Sequence, residues 1–222
     1  MTTVAAYDAY ADWYEDYLRG AAAAHTDRVR ALAARLVGRG AGPCLDVCCG
    51  TGLHAGPLRE LGWTPIGVDV SLGQLRHARS RLPVAAADAT RLPIAAGALP
   101  LAVCTMGHTD VPDYRAVLAE LARTLCPGGR LVHIGVHPCF TGAFADRSNP
   151  ARIVIGPGYA VRDRSFEGWA PHGVRARVGA WHATLADLLG GVLGAGLRLA
   201  AVAEDGPADG VPDLFGLVAV KD

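Results

Sequence analysis

Three carboxylates in this chain each close a short apolar run: Asp46 in Pro43-Cys-Leu-Asp46-Val47, Asp69 in Gly67-Val-Asp69, and Asp88 in Ala87-Asp88-Ala89. The first run leads directly into Cys48-Cys49-Gly50-Thr51-Gly52, and a helical pattern follows. Glycines at this spacing let the backbone turn tightly and approach a ligand closely, at the sheet edge where open α/β folds bind nucleotides. Two ligand classes compete for the turn. Gly50-x-Gly52-x-x-Ala55, with Asp69 at nearly the distance of a ribose contact, also satisfies the dinucleotide fingerprint, so the glycines alone leave an NAD-dependent oxidoreductase open. Asp46 leans the other way. An anionic pyrophosphate gains nothing from a carboxylate before the turn, whereas a cationic nucleotide is helped by one. The plainer role for Asp46 is a carboxylate bonded to loop backbone.

The elements that must position these residues alternate along the chain. Strand-like runs occupy 43–48, 65–70, 84–87, 99–106, 130–136, 197–204 and 213–220. Helical runs lie between them at 53–62, 72–81, 113–126 and 181–194, after two N-terminal helices at 4–19 and 22–37. Strand–helix alternation predicts a mostly parallel sheet covered on both faces. The last two strands have only the turn around Asp205–Gly210 between them, so the final strand should run antiparallel. The expected fold is a Rossmann-like three-layer α/β sandwich with a seven-stranded sheet. The 222 residues, 51% of them apolar, suit one domain of this kind. Its parts are a helical cap at 1–40, a nucleotide-binding core at 41–137, a lid at 138–180, and a C-terminal helix and hairpin at 181–222. A loop as long as the lid is uncommon in a compact domain and suggests function.

Composition narrows the class. Formal charge is zero, Lys221 is the only lysine, and no Lys/Arg run occurs, which argues against nucleic acid as a partner. No apolar run is long enough to cross a bilayer, and the N-terminus lacks the pattern of a secretory signal, so a cytoplasmic location is expected. The six cysteines form no Cys-x-x-Cys pair and no Cys/His cluster with zinc spacing; free thiols and no metal are expected.

Leu45-Asp-Val-Cys-Cys-Gly-Thr-Gly52 resembles the first motif of class I methyltransferases that use S-adenosylmethionine (SAM). Gly67-Val-Asp69-Val-Ser71, Ala87-Asp88-Ala89 and Leu125-Cys-Pro-Gly-Gly-Arg-Leu-Val132 resemble their later motifs in order and spacing, and Tyr7-Asp-Ala-Tyr-Ala-Asp-Trp-Tyr14 is similar to their aromatic N-terminal helix. The resemblance covers about residues 7–136. It implies that SAM is bound, with S-adenosylhomocysteine (SAH) as product. The cofactor contacts it implies fall on Asp46, Cys48, Gly50, Gly52, His54, Asp69, Val70, Asp88, Ala89 and Met106. In that family Asp69 would hold the ribose hydroxyls and Asp88 the adenine amino group; otherwise Asp69 would be a helix cap, a role better suited to Ser71, and Asp88 a turn residue. Two departures stand out. Cys48 replaces a usual glycine and would be strained at positive φ, and Leu99-Pro-Leu101 replaces a usual acidic start to strand four.

Methyl transfer needs alignment and water exclusion, and a base only when the acceptor holds a proton tightly. His137, at the ligand end of strand five, His108 after strand four, and Tyr14 are the catalytic candidates, each histidine being equally eligible as a structural group. Asp110 would share the edge with His108 or be a turn former, Asp113 should cap the next helix, and His133 should pack half-buried. Lid aromatics Phe140, Phe144, Tyr159, Phe166 and Trp169 suggest a flat or apolar small-molecule acceptor. His108-Thr-Asp-Val-Pro-Asp-Tyr114, Val136-His-Pro-Cys-Phe140 and Ala143-Phe-Ala-Asp-Arg147 resemble a bacterial natural-product subgroup whose members include indole carbon methyltransferases acting on tryptophan-derived cyclic dipeptides or tryptamines. An O- or N-methyltransferase of another metabolite, a methyltransferase of RNA or protein, and a SAM-binding regulator are the rival readings. The aromatic N-terminal helix could cover its own site or a neighbour's, the latter giving a homodimer.

Overall fold

The computed structural model describes residues 5–149, 152–167 and 172–222. After a 3-10 turn at Asp8–Tyr10, helices α1 (Ala11–Arg19) and α2 (Ala23–Val37) precede the sheet. There follow β1 (Gly42–Val47), α3 (Ala55–Glu60), β2 (Trp63–Asp69), α4 (Leu72–Ala78), β3 (Val84–Ala86), β4 (Leu99–Thr105), α5 (Tyr114–Thr124) and β5 (Leu125–Val136). The lid contains β6 (Ala145–Asn149), β7 (Arg152–Ile155) and α6 (Val174–Val178), and the chain closes with α7 (Leu185–Gly194), β8 (Leu197–Asp205) and β9 (Leu214–Lys221).

The seven-stranded sheet has the order β3-β2-β1-β4-β5-β9-β8. β9 runs antiparallel to both neighbours, as the short turn before it requires; all other strand pairs are parallel. The central strands are apolar on both faces because helices cover both. Alternation divides them: Leu45, Val47, Ala102 and Cys104 pack under α5 and α7, while Cys44, Leu101 and Val103 pack against α2 and α3. β1 begins the outward run to β2 and β3, and the chain then crosses back to β4. The carboxyl ends of β1 and β4 therefore flank the switch point where such sheets open a crevice.

The small β6–β7 hairpin inside the lid is additional to the sequence expectation, as is the early start of β5, which takes in the Pro127-Gly128-Gly129 turn. Among the described residues no helix is long and apolar enough to cross a membrane, and all six cysteines are free.

Candidate active site

Two cavities open at the switch point. One, of about 720 Å³, is lined by Asp69, Val70, Ala87, Asp88, Ala89 and neighbouring residues beyond the ends of β2 and β3. The other, of about 500 Å³, lies beneath the N-terminal helices and is lined by Tyr17, Leu18, His25, Arg28, Val29, His54, Val136, Arg147 and Arg175, among others. They share a wall made of Tyr7, Tyr14, Cys48, Gly50, Thr105, Met106, Thr109, Asp110 and Gly179.

The glycine turn is pinned from both sides. Cys49 N donates to Val68 O at 3.0 Å, Gly52 N to Cys49 O at 2.9 Å, and Gly50 N to Asp69 Oδ2 at 2.9 Å. Gly50 and Gly52 take positive φ, and a Cβ on Gly52 would lie 2.7 Å from Leu82. Cys48 takes φ 54°, the strain foreseen for it, and Met106 takes φ 63°. Among the described residues these are the non-glycine positions with positive φ, and both stand in the shared wall. Gly107 is packed against Cys48 so closely that a Cβ there would be 2.8 Å from the cysteine Cβ. Unfavourable backbone of this kind costs on the order of 1–3 kcal/mol per residue and collects at ligand sites.

The predicted cofactor residues divide. Cys48, Gly50, Asp69, Val70, Asp88, Ala89 and Met106 line the larger cavity or the shared wall, and His54 lines the smaller one. Asp69 accepts from Gly50 N and, through Oδ1, from Ser71 N at 2.8 Å; burial raises its pKa against those bonds. Asp88 accepts from Thr90 N and Thr90 Oγ1 through Oδ1, which leaves Oδ2 to a ligand. Ser71, not Asp69, caps α4, and Asp113 caps α5.

Asp46 departs from expectation. It is 1% exposed, lines neither cavity, and both of its oxygens lack a protein partner, so it is not bonded to loop backbone either. Burial, then the Asp69 charge, push its pKa up to about 7. It can act on a ligand through the field it sets beneath the turn, not through contact. Burial likewise takes His54 down to about 4, so its imidazole is neutral.

The catalytic candidates divide as well. Tyr14 stands in the shared wall with its ring edge-on to Tyr7 at 5.1 Å, and burial raises its hydroxyl pKa. His108 turns inward instead, towards Tyr114 and His133. Burial holds it neutral, with a pKa near 4. His133 is fully buried rather than half-buried and bonds Tyr114 Oη through Nδ1 at 2.8 Å. His137 lines neither cavity: its Nε2 meets Glu204 Oε1 at 2.7 Å, its Nδ1 accepts from Cys139 N at 3.1 Å, and its ring stacks on Phe140. The residue at the end of a strand is at the right edge of the sheet, but the turn that follows decides which way its side chain faces.

The lid aromatics also face elsewhere. Phe144 packs on Tyr159 and His182, and Phe166 lies outside under Arg164; Trp169 falls outside the described residues. The aromatic surface of the smaller cavity comes from Tyr7, Tyr14 and Tyr17 of the N-terminal cap, while the lid contributes backbone, small residues, Arg147 and Arg175.

Sequence reasoning missed what holds that cap in place. Asp8 Oδ1 accepts from Ser71 Oγ at 2.6 Å and Gly73 N at 3.0 Å. Arg81 donates to both Glu15 oxygens and, at 2.6 Å, to Thr51 O, tying α1 to the glycine turn. These bonds hold the 3-10 turn on the start of α4, and α1 on the segment after α4 and on the glycine turn. The far end of the smaller cavity holds a second ion pair, Arg28 with both oxygens of Asp213 at 2.7 Å. Sequence alone leaves Asp110 as an edge group or a turn former. It lines both cavities, and its Oδ1 accepts from Tyr7 Oη at 3.2 Å.

Residues 44–129 match the family model described as a methyltransferase domain. A demethylmenaquinone methyltransferase of Corynebacterium kroppenstedtii is 32% identical over 146 residues, which is 60% of this chain and 64% of that protein, so the chain matches less than two thirds of the relative's length. A SAM-dependent methyltransferase from Mesorhizobium loti superposes with a TM-score of 0.68 at 21% identity, covering 89% of this chain and 98% of that one. A geranyl diphosphate C-methyltransferase from Streptomyces coelicolor, solved with Mg2+, geranyl diphosphate and SAH, superposes with a TM-score of 0.63 at 16% identity, covering 89% and 79%. The fold is that of the SAM-dependent methyltransferases.

Proposed function

We propose that this chain is a cytoplasmic SAM-dependent methyltransferase whose acceptor is a small aromatic molecule, an indole ring carbon being the preferred site. The observation that carries the reading is the pair of cavities meeting at the strained Cys48–Gly50 and Met106 wall. The match of residues 44–129 to a methyltransferase domain supports it. The residues fit a cationic nucleoside. Asp69 and the free oxygen of Asp88 offer acceptors to hydroxyl and amino groups, Val70 and Ala89 offer apolar surface to a base, and the unpartnered Asp46 carboxylate lies beneath the turn. The same arrangement disfavours a dinucleotide, because a pyrophosphate would sit over that carboxylate.

When bound, SAM supplies an electrophilic methyl group on a sulfonium. The protein's work is then to position and to exclude water. Tyr14 and Tyr7 close the junction from above, held there by Glu15–Arg81 and Asp8–Ser71. The smaller cavity falls within the usual size range of ligand sites, and Tyr14, Tyr17, Leu18, Val29 and Val136 give it an apolar, ring-sized body. Arg28 and Asp213 at its far end can orient polar groups of the acceptor.

Incubation with SAM and tryptamine or a tryptophan-containing cyclic dipeptide should yield SAH and a product heavier by one methyl. SAH formed with neither compound removes the indole assignment. A second reading comes from the relatives, named for demethylmenaquinone: a reduced naphthoquinone is also a flat ring methylated at carbon, and turnover of 1,4-naphthohydroquinone alone would favour it.

A further inference from the structure

We propose that Asp110, flanked by Tyr7 and Tyr14, forms a cation-accepting box at the junction of the two cavities, with Asp110 as the general base that takes the acceptor's proton. The acceptor class it fits is a neutral nucleophile that becomes cationic on methylation: an amine, or an electron-rich ring bearing N–H. The inference rests on the methyltransferase reading above.

The geometry is specific. All three side chains line both cavities. The two rings stand edge to face at 5.1 Å, offering a π-face and a hydroxyl to the same space. Tyr7 Oη donates to Asp110 Oδ1 at 3.2 Å, leaving Oδ2 free to receive a proton. Aromatic faces and a carboxylate together stabilise an organic cation, most strongly where the cation is desolvated. The histidines expected to act as base are turned away, whereas Asp110 opens onto the junction itself.

In the step, a bond forms between the methyl carbon and the acceptor's nucleophilic atom. The carbon–sulfur bond breaks, and its electron pair stays on sulfur. The positive charge passes to the acceptor, whose N–H proton then moves to Asp110 Oδ2. Asp110 must be ionised to do this. Its side chain is open to the cavities, yet the protein packed around the junction still penalises its charge, and that, as the largest influence, pushes its pKa up to about 7. Facing it are Tyr7 and Tyr14 from the cap, Cys48 from the glycine turn, Asp69 from β2, and Arg164 and Arg175 from the lid. Tyr7 and the two arginines favour the ionised form, and Asp69 opposes it.

The test uses the whole chain saturated with SAH, with N-methylquinolinium as a cationic probe and quinoline as its neutral counterpart, both followed by calorimetry. Wild type should bind the cation at least tenfold more tightly at pH 8.5 than at pH 5.5. Asp110→Asn should lose that preference and weaken the cation at pH 8.5 at least tenfold, with quinoline and SAH held within about twofold. Tyr7→Phe, which keeps the ring, should keep most of the cation affinity while shifting its pH midpoint upward. Equal cation affinity in wild type and Asp110→Asn, or no cation binding by a wild type that binds SAH, overturns the box. A wild type that binds no SAH overturns the methyltransferase reading itself, a distinct result.

Discussion

Replacing Arg81 by methionine should unlatch the N-terminal cap. Arg81 donates to the Glu15 carboxylate at 3.0 and 2.5 Å and to Thr51 O at 2.6 Å. The Glu15 side chain is 9% exposed and that of Arg81 23%. Removing one partner of a buried ion pair costs about 3–5 kcal/mol, because the other charge is left without compensation. Here Arg19 remains on Glu15 at 2.6 Å, and Arg81 itself is partly solvated, so the expected loss is about 2 kcal/mol. In a chain of this size that lowers the melting temperature by about 4–8 °C. The loss should depend on pH. Burial raises the Glu15 pKa, but its bonds to Arg81 and Thr51 outweigh that and hold it below the usual glutamate value. A depressed carboxyl contributes stability above its unfolded pKa of about 4.3, and that contribution disappears as pH falls through the lower folded value. Guanidinium unfolding of wild type and Arg81→Met at several pH values should therefore show the full gap at pH 7 and a narrowing gap below about pH 4. SAH affinity should also fall several-fold, since α1 carries Tyr14 into the shared wall. The exposed pair Arg76–Asp12 is the control, and Arg76→Met should change neither measurement. A gap under about 0.5 kcal/mol, or one that acid leaves untouched, would refute the latch.

Other substitutions separate the remaining roles. Asp69→Ala removes the acceptor of Gly50 N and the proposed ribose contact; SAH affinity measured by calorimetry should drop about 10- to 100-fold, and a change below twofold would end that assignment. Asp46→Asn should stabilise the free protein. A carboxyl raised from about 3.9 to near 7 loses stability as pH climbs through that window, so the gain should be nil at pH 4 and about 4 kcal/mol at most at pH 8; unfolding curves with no gain at pH 8 would contradict the burial argument. His137→Ala should cost about 2 kcal/mol through lost packing on Phe140 and Phe215, while SAH affinity stays within twofold; intact stability with lost SAH binding would restore it to the site.

The fold was legible because its signals are local. Apolar runs such as 99–106, turns such as Asp205–Gly210 and capping residues such as Asp113 act within a few residues of themselves, and the structure follows them closely. That Gly50, Asp69 and Asp88 would come together was legible for a related reason: they are defined by their place at strand ends, strand ends converge in this topology, and all three line one cavity. The directions of the other candidate side chains were not. His108 and His137 stand at the right edge, but side-chain direction there depends on turn geometry, such as the positive φ of Met106, which sequence does not announce. The lid aromatics were misplaced because they satisfy one another, as Phe144, Tyr159 and His182 do, before they can reach a ligand. The Glu15–Arg81 latch joins residues far apart in sequence on polar faces, where no periodic pattern marks the pair.

Calorimetric titration of the purified chain with SAM, SAH and NADH tests the central claim most directly. Saturable binding of SAM and SAH, with no heat from NADH, is the expected outcome. Binding of NADH in their place, or silence towards all three, would contradict it.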